Sequence, residues 1–155
     1  MKKQTWKPYV TFVLFNLVVS GLVGWATSGA MDTYETVRKS PLTPPSFVFP
    51  IVWALLYALM GISAAMIYQS DSPDKKRALT IYVIQLIVNL VWSFLFFNLQ
   101  MYGFAFLWLL FLLVLIIAMI VAFWPIKRTA ALLQIPYLIW VSFAGYLAYS
   151  VWMLN

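Results

Sequence analysis

The sequence predicts an all-α membrane protein, a bundle of five transmembrane helices. Three observations carry that prediction. Apolar residues make up 65% of the 155-residue chain and charged residues only 9%, whereas a soluble domain usually carries about 25% charged residues to wet its surface. The charges are confined to short clusters, at Lys2–Lys7, Asp32–Lys39, Asp71–Arg77 and Lys127–Arg128. Between these clusters lie uncharged stretches of the length a span needs, roughly 20 residues in helical form.

The elements follow in order, within one domain covering 1–155. The first span lies at about 9–27 and the second at about 47–68. No charge occurs from Ala78 to Ile126, which is room for two spans and a turn. Asn98, Gln100 and Gly103 mark the turn, leaving a third span at about 79–97 and a fourth at about 104–124. The fifth runs from about 130 to 153. A membrane barrel would alternate apolar and polar residues along each strand, and the unbroken apolar run from Leu109 to Phe123 does not.

Five spans place the N-terminus and the second and fourth connections on one side. That side holds eight basic residues, Lys2, Lys3, Lys7, Lys75, Lys76, Arg77, Lys127 and Arg128, against Arg38 and Lys39 on the other. The bias predicts a cytoplasmic N-terminus and an external C-terminus. The net charge of +6 is thereby a topology signal, and no nucleic-acid partner is expected. Two lysines, an apolar run and Ser28-Gly29-Ala30 also fit a cleaved signal peptide. The run exceeds the usual signal core of roughly 7–15 residues and holds Asn16 and Trp25, so it reads as a retained span.

Several function classes are excluded. The chain has no Cys and no His, which removes thiolate chemistry, the commonest metal ligand and the usual general base. Asp32, Glu35, Asp71 and Asp74 all fall in connections, so no span carries the ionisable group that pumps and proton-coupled transporters use. No metal and no bound cofactor is expected. What remains is aromatic and neutral polar chemistry, from eight Trp, nine Tyr and twelve Phe. An interfacial belt accounts for Trp6, Tyr9, Tyr68, Tyr102, Trp124 and Trp152 near span ends. Trp53, Trp92 and Trp140 lie deeper.

Gln85, Asn89 and Ser93 recur every four residues and so share one face of the third span. That face should point into the bundle, either for interhelical hydrogen bonds or as the polar side of a ligand cavity. The fourth span, apolar throughout, reads as peripheral and lipid-facing. Ser20, Gly24 and Ser28 on the first span, and Ala144 and Ala148 on the fifth, form small-residue stripes. Such stripes let backbones pack closely, within the chain or across a dimer. The first connection, 28–46, carries Tyr34 and then Pro41, Pro44 and Pro45. Prolines stiffen a chain, and a long stiff connection reads as a lid.

The stretch PLTPPSFVFPIVWALLYALMGIS resembles the signature of the tryptophan-rich sensory protein family, also called translocator protein or peripheral-type benzodiazepine receptor. QLIVNLVWSFLFFN and PYLIWVSFAGYLAYSVWMLN continue the match through all five spans. The resemblance implies a dimeric five-helix protein in a bacterial plasma membrane, with a lidded cavity. It implies binding of porphyrins such as protoporphyrin IX and of benzodiazepine-site drugs. It points to Tyr34, Trp53, Tyr57, Asn89, Trp92, Trp140, Phe143 and Ala144 as ligand-binding residues. Light-dependent porphyrin degradation is a second implied activity, with Trp53 and Trp140 as its candidate residues, and tetrapyrrole or sterol transport is a third. Two departures bear on ligands. Leu42 stands where the family often has Trp before its proline pair. The family's cholesterol motif needs a basic residue after its tyrosine, and none follows Tyr149, so poor cholesterol binding is expected.

Overall fold

The computed structural model describes residues 5–155. The chain forms α1 (Trp6–Thr27), α2 (Met31–Thr36), α3 (Val48–Tyr68), α4 (Lys75–Ser93), α5 (Tyr102–Phe123), α6 (Arg128–Leu132) and α7 (Ile135–Leu154). A one-turn 3₁₀ segment, Ser28–Ala30, joins α1 to α2, and a π-helical turn, Phe94–Asn98, prolongs α4. Among the described residues, five helical stretches are long and apolar enough to cross a membrane. The 22 residues of α1, at about 1.5 Å each, cover a hydrocarbon core of roughly 30 Å.

The two ends of the bundle are fixed by paired hydrogen bonds. At one end the Thr5 amide donates to Gln69 Oε1 (2.6 Å), and Gln69 Nε2 donates to the Thr5 carbonyl (3.2 Å). At the other, the Arg38 amide donates to Asn155 Oδ1 (3.1 Å) and Asn155 Nδ2 to the Arg38 carbonyl (2.9 Å). The C-terminus and the first connection therefore share an end, opposite the start of α1. Lys2 and Lys3, which enter the orientation reading, lie outside the described residues.

Helix α1 packs on α3, while α5 lies against α4 and α7. The two backbones of α1 and α3 approach closely at Gly61 of α3. A Cβ there would sit 2.8 Å from Val13 Cα and 2.9 Å from Val13 N. Helix α5 has two faces. Ala105, Leu109, Leu112, Ile116, Met119 and Phe123 are buried at helical spacing, while Leu107, Val114 and Val121 are exposed. The reading of the fourth span as peripheral holds for the second face only. On the inner side the Trp108 indole N–H donates to the Val88 carbonyl of α4 (2.8 Å).

Three sequence expectations are corrected. The fifth span enters as two pieces, α6 and α7, because Pro136 lacks the amide that would bond back to Leu132 and its ring crowds that carbonyl. Gly103 is inside α5, where a Cβ would lie 2.7 Å from the Trp152 ring. The turn itself is made by Gln100, whose φ of 54° is left-handed. Of the two contacts open to the Ser20/Gly24/Ser28 stripe, the one within the chain is not made at Gly24, since a Cβ on Gly21 or Gly24 would meet nothing within 4 Å. Its smallness opens space instead.

Candidate ligand cavity

That space is a cavity of about 460 Å³, within the roughly 300–1,000 Å³ usual for small-molecule sites. Leu17, Ser20, Gly21, Gly24 and Thr27 of α1 form one wall. Phe49, Pro50, Trp53 and Tyr57 of α3 form the second, and Trp140, Ala144, Leu147 and Ala148 of α7 the third. Trp92, Ser93, Phe96 and Phe97 close the fourth, and Met31 and Tyr34 of α2 cap the end. Among the described residues, no Lys, Arg, Asp or Glu lines it.

Rings set its shape. Trp53 and Trp140 stand nearly perpendicular (87°) with centres 6.4 Å apart, and Phe49 packs on Trp140 at 5.8 Å. Trp92 stacks on Phe96 at 5.2 Å and 22°. Tyr34 meets Phe97 at 5.2 Å and Phe96 at 5.8 Å. Edge-to-face pairs of this kind contribute ~0.5–1.5 kcal/mol each beyond burial, so the walls are held firmly.

The π-helical turn supplies Phe96 and Phe97. The Leu99 amide bonds five residues back to the Phe94 carbonyl (2.9 Å), and one extra residue in a turn rotates the following side chains. Apolar periodicity does not report such a turn, and in the sequence alone these phenylalanines are a span end. Phe49 and Pro50 were also missed as lining residues. Pro50 sits in the first turn of α3, where a missing amide leaves no bond unmade.

Of the eight residues carried by the family resemblance, Tyr34, Trp53, Tyr57, Trp92, Trp140 and Ala144 line this cavity, and Asn89 and Phe143 do not. Phe143 packs outside, against Trp140 (5.7 Å) and Tyr146 (6.4 Å). Asn89 lies beneath the floor in a closed circuit of buried hydrogen bonds. The Tyr57 hydroxyl donates to Asn89 Oδ1. Asn89 Nδ2 donates to the Tyr137 hydroxyl (2.7 Å), which donates to Gln85 Oε1 (2.8 Å). Gln85 Nε2 donates to the Tyr82 carbonyl (2.9 Å), and the Tyr82 hydroxyl to Asn16 Oδ1 (2.9 Å). Asn16 Nδ2 then returns to the Tyr57 carbonyl (3.1 Å). The polar face of α4 thus divides. Gln85 and Asn89 tie α1, α3, α4 and α7 together, and Ser93 alone faces the cavity.

The first connection also divides. Its helical part, α2, caps the cavity through Met31 and Tyr34, while Pro41, Pro44 and Pro45 lie outside the lining. The proline segment is a strap fastened to α7, since the Ser40 and Tyr146 hydroxyls share a hydrogen bond (2.8 Å). Leu42, at the family's usual Trp position, is exposed on this strap and away from the cavity. The Lys39 ammonium donates to the Tyr34 carbonyl (2.9 Å) and lies 4.5 Å from the Tyr34 ring centre. Arg38 is held through its backbone by Asn155 instead.

The model of the TspO/MBR family matches residues 12–153. The chain is 36% identical over 124 residues to Protein CrtK of Rhodobacter capsulatus, covering 79% of this chain and 78% of that one. It is 33% identical over 154 residues to the Translocator protein of Bos taurus, covering 97% and 91%. It is 31% identical over 134 residues to the Tryptophan-rich sensory protein of Cereibacter sphaeroides, covering 84% of each.

Proposed function

This chain belongs to the TspO/MBR family and is an integral membrane protein, and from that premise we propose that it is a receptor for flat aromatic ligands. Porphyrins such as protoporphyrin IX, and benzodiazepine-site drugs, are the expected occupants. The observation that carries this reading is the meeting of Tyr34, Trp53, Trp92 and Trp140, from four separate segments, around one uncharged cavity. Planar rings stack on indole and phenol faces, and such sites bury most of a ligand's surface.

The test is titration of detergent-purified protein with protoporphyrin IX in darkness. Wild type should bind saturably, and Trp53→Phe and Trp140→Phe should each bind several-fold more weakly. An absence of saturable binding removes the proposal. The family resemblance carries a second reading, light-dependent porphyrin breakdown, in which the indoles of Trp53 and Trp140 in the lining would stand beside the excited ring. Under illumination that reading predicts loss of the porphyrin band in wild type and its persistence in both variants.

A propionate-bearing ligand needs a cation at the mouth, and Lys39, beside the Tyr34 ring, is better placed than Arg38. Lys39→Gln should weaken protoporphyrin IX by about two- to five-fold at low salt, as expected for a charge pair at a half-buried, solvent-reached position, and by less at high salt. Its dimethyl ester should bind both proteins alike. Arg38→Gln should change neither ligand, and equal losses in the two variants would remove Lys39 from this role.

The same reading includes a homodimer and a bacterial plasma membrane with the N-terminus in the cytoplasm. It includes poor cholesterol recognition, since the exposed Tyr149 has no basic residue after it. Competable cross-linking of a sterol photoprobe at Tyr149 would count against that point. Flux of porphyrin or sterol across sealed vesicles would favour a transporter instead.

A further inference from the structure

The fold satisfies an indole N–H where the indole is structural. Trp108 donates to the Val88 carbonyl at 2.8 Å. Trp92, one helical turn from Val88 on the same helix, is treated differently. It is 7% exposed, lines the cavity, and its Nε1–H is buried with no hydrogen-bond partner. Its stack on Phe96 holds the ring in place. Phe97, perpendicular at 6.0 Å, offers at most a π face, a second-order partner. Buried donors are almost always paired, and leaving one unpaired costs about 1–3 kcal/mol.

Several hydroxyls in the lining have their protons committed. Thr27 donates to the Val23 carbonyl (3.0 Å), Ser28 to the Trp25 carbonyl (2.7 Å) and Tyr57 to Asn89. Among the lining residues, the buried donors left without a partner are the indoles of Trp92 and Trp140; Gln134 Nε2 is also unpartnered but lies outside the lining. Trp140 is the more exposed of the two. The lining carries no cation, so a carboxylate brought to this wall would lose its hydration with no counter-charge.

We propose that the Trp92 indole N–H selects, among flat aromatic ligands, those carrying a neutral in-plane hydrogen-bond acceptor such as a carbonyl, an ester or a ring nitrogen. This rests on the cavity being a ligand site. Presenting the proton to a ligand requires the indole to turn within its stack, and the ligand then supplies the acceptor that the protein lacks. An orphan donor that gains a partner only on binding discriminates strongly against isosteres without the acceptor.

Two probes of matched shape test it, 9-fluorenone with a carbonyl and fluorene with a methylene in its place. Binding is measured by equilibrium dialysis against the detergent-purified protein, and the carbonyl stretch of bound fluorenone is read by infrared difference spectroscopy. Wild type should bind fluorenone about tenfold more tightly than fluorene and shift its carbonyl band to lower wavenumber. Trp92→Phe keeps a ring to stack on Phe96. It should remove the preference, because fluorenone loses more affinity than fluorene, and return the band towards its free position. An unshifted band in wild type overturns the proposal without recourse to any variant. So does a preference that survives Trp92→Phe but disappears in Trp140→Phe, or equal weakening of both probes by Trp92→Phe. If neither probe binds, the cavity reading fails, and this inference with it.

Discussion

Gly61→Ala should be the most damaging single-methyl change in the molecule. The added carbon would lie 2.8 Å from Val13 Cα, 2.9 Å from Val13 N and 3.0 Å from the Phe12 carbonyl carbon. All three are backbone atoms of α1 and cannot rotate aside, so the two helices must separate along their shared seam. Overpacking of a core usually costs about 1–3 kcal/mol, and a rigid backbone contact belongs at the top of that range. The better helix propensity of Ala returns only about 1 kcal/mol. The thermal midpoint in detergent should fall clearly. Gly24→Leu provides the contrast, because a Cβ there meets nothing within 4 Å. Its midpoint should stay near wild type while its side chain fills the cavity and abolishes porphyrin binding. A Gly61→Ala midpoint equal to wild type would show that α1 and α3 are not in backbone contact.

The contrast between these glycines shows where the sequence stops being legible. Charge clusters and span-length apolar runs are imposed by the bilayer itself, so the five spans could be read directly. The ring-bearing positions Tyr34, Trp53, Tyr57, Trp92 and Trp140 could be read through the resemblance of their motifs. Small residues could not, because a missing side chain looks the same whether it admits another helix or leaves a void. Gly61 admits Val13, whereas Ser20, Gly21 and Gly24 line the cavity. The spacing of Ser20, Gly24 and Ser28 fits a contact within the chain or across a dimer, and only the neighbours of Gly24 show that none is made there within the chain. Asn89 carries a related ambiguity. Its position on the face of Gln85 and Ser93 fits either a cavity wall or a helix tie, and the partner that decides the matter, Tyr137, lies 48 residues away. Phe96 and Phe97 depend on a π-turn whose register leaves no apolar signature.

Asn89→Leu should be the second largest change, and its effect should be shared with Tyr57. Asn89 accepts from the Tyr57 hydroxyl and donates to that of Tyr137. Leucine keeps the volume and offers neither bond. Tyr137 retains Gln85 as its acceptor, so the stranded group is the Tyr57 hydroxyl, on a residue 5% exposed. A buried donor left without a partner costs about 1–3 kcal/mol, whereas interhelical bonds in membranes average nearer 0.6 kcal/mol by double-mutant cycle. The two estimates differ because the first includes the stranded group, and a cycle can separate them. Tyr57→Phe removes the hydroxyl that Asn89→Leu strands. The double variant should therefore be less destabilised than the sum of the singles, by about 1 kcal/mol. Denaturation by SDS titration of the four proteins gives the coupling. Strict additivity would mean that the Tyr57–Asn89 bond holds nothing and that α3 and α4 are kept together by packing alone. Coupling of the expected size would make Asn89 a positioning residue. It then acts on a ligand through the Tyr57 ring above it, and its loss should weaken protoporphyrin IX binding less than the loss of Trp53 or Trp140.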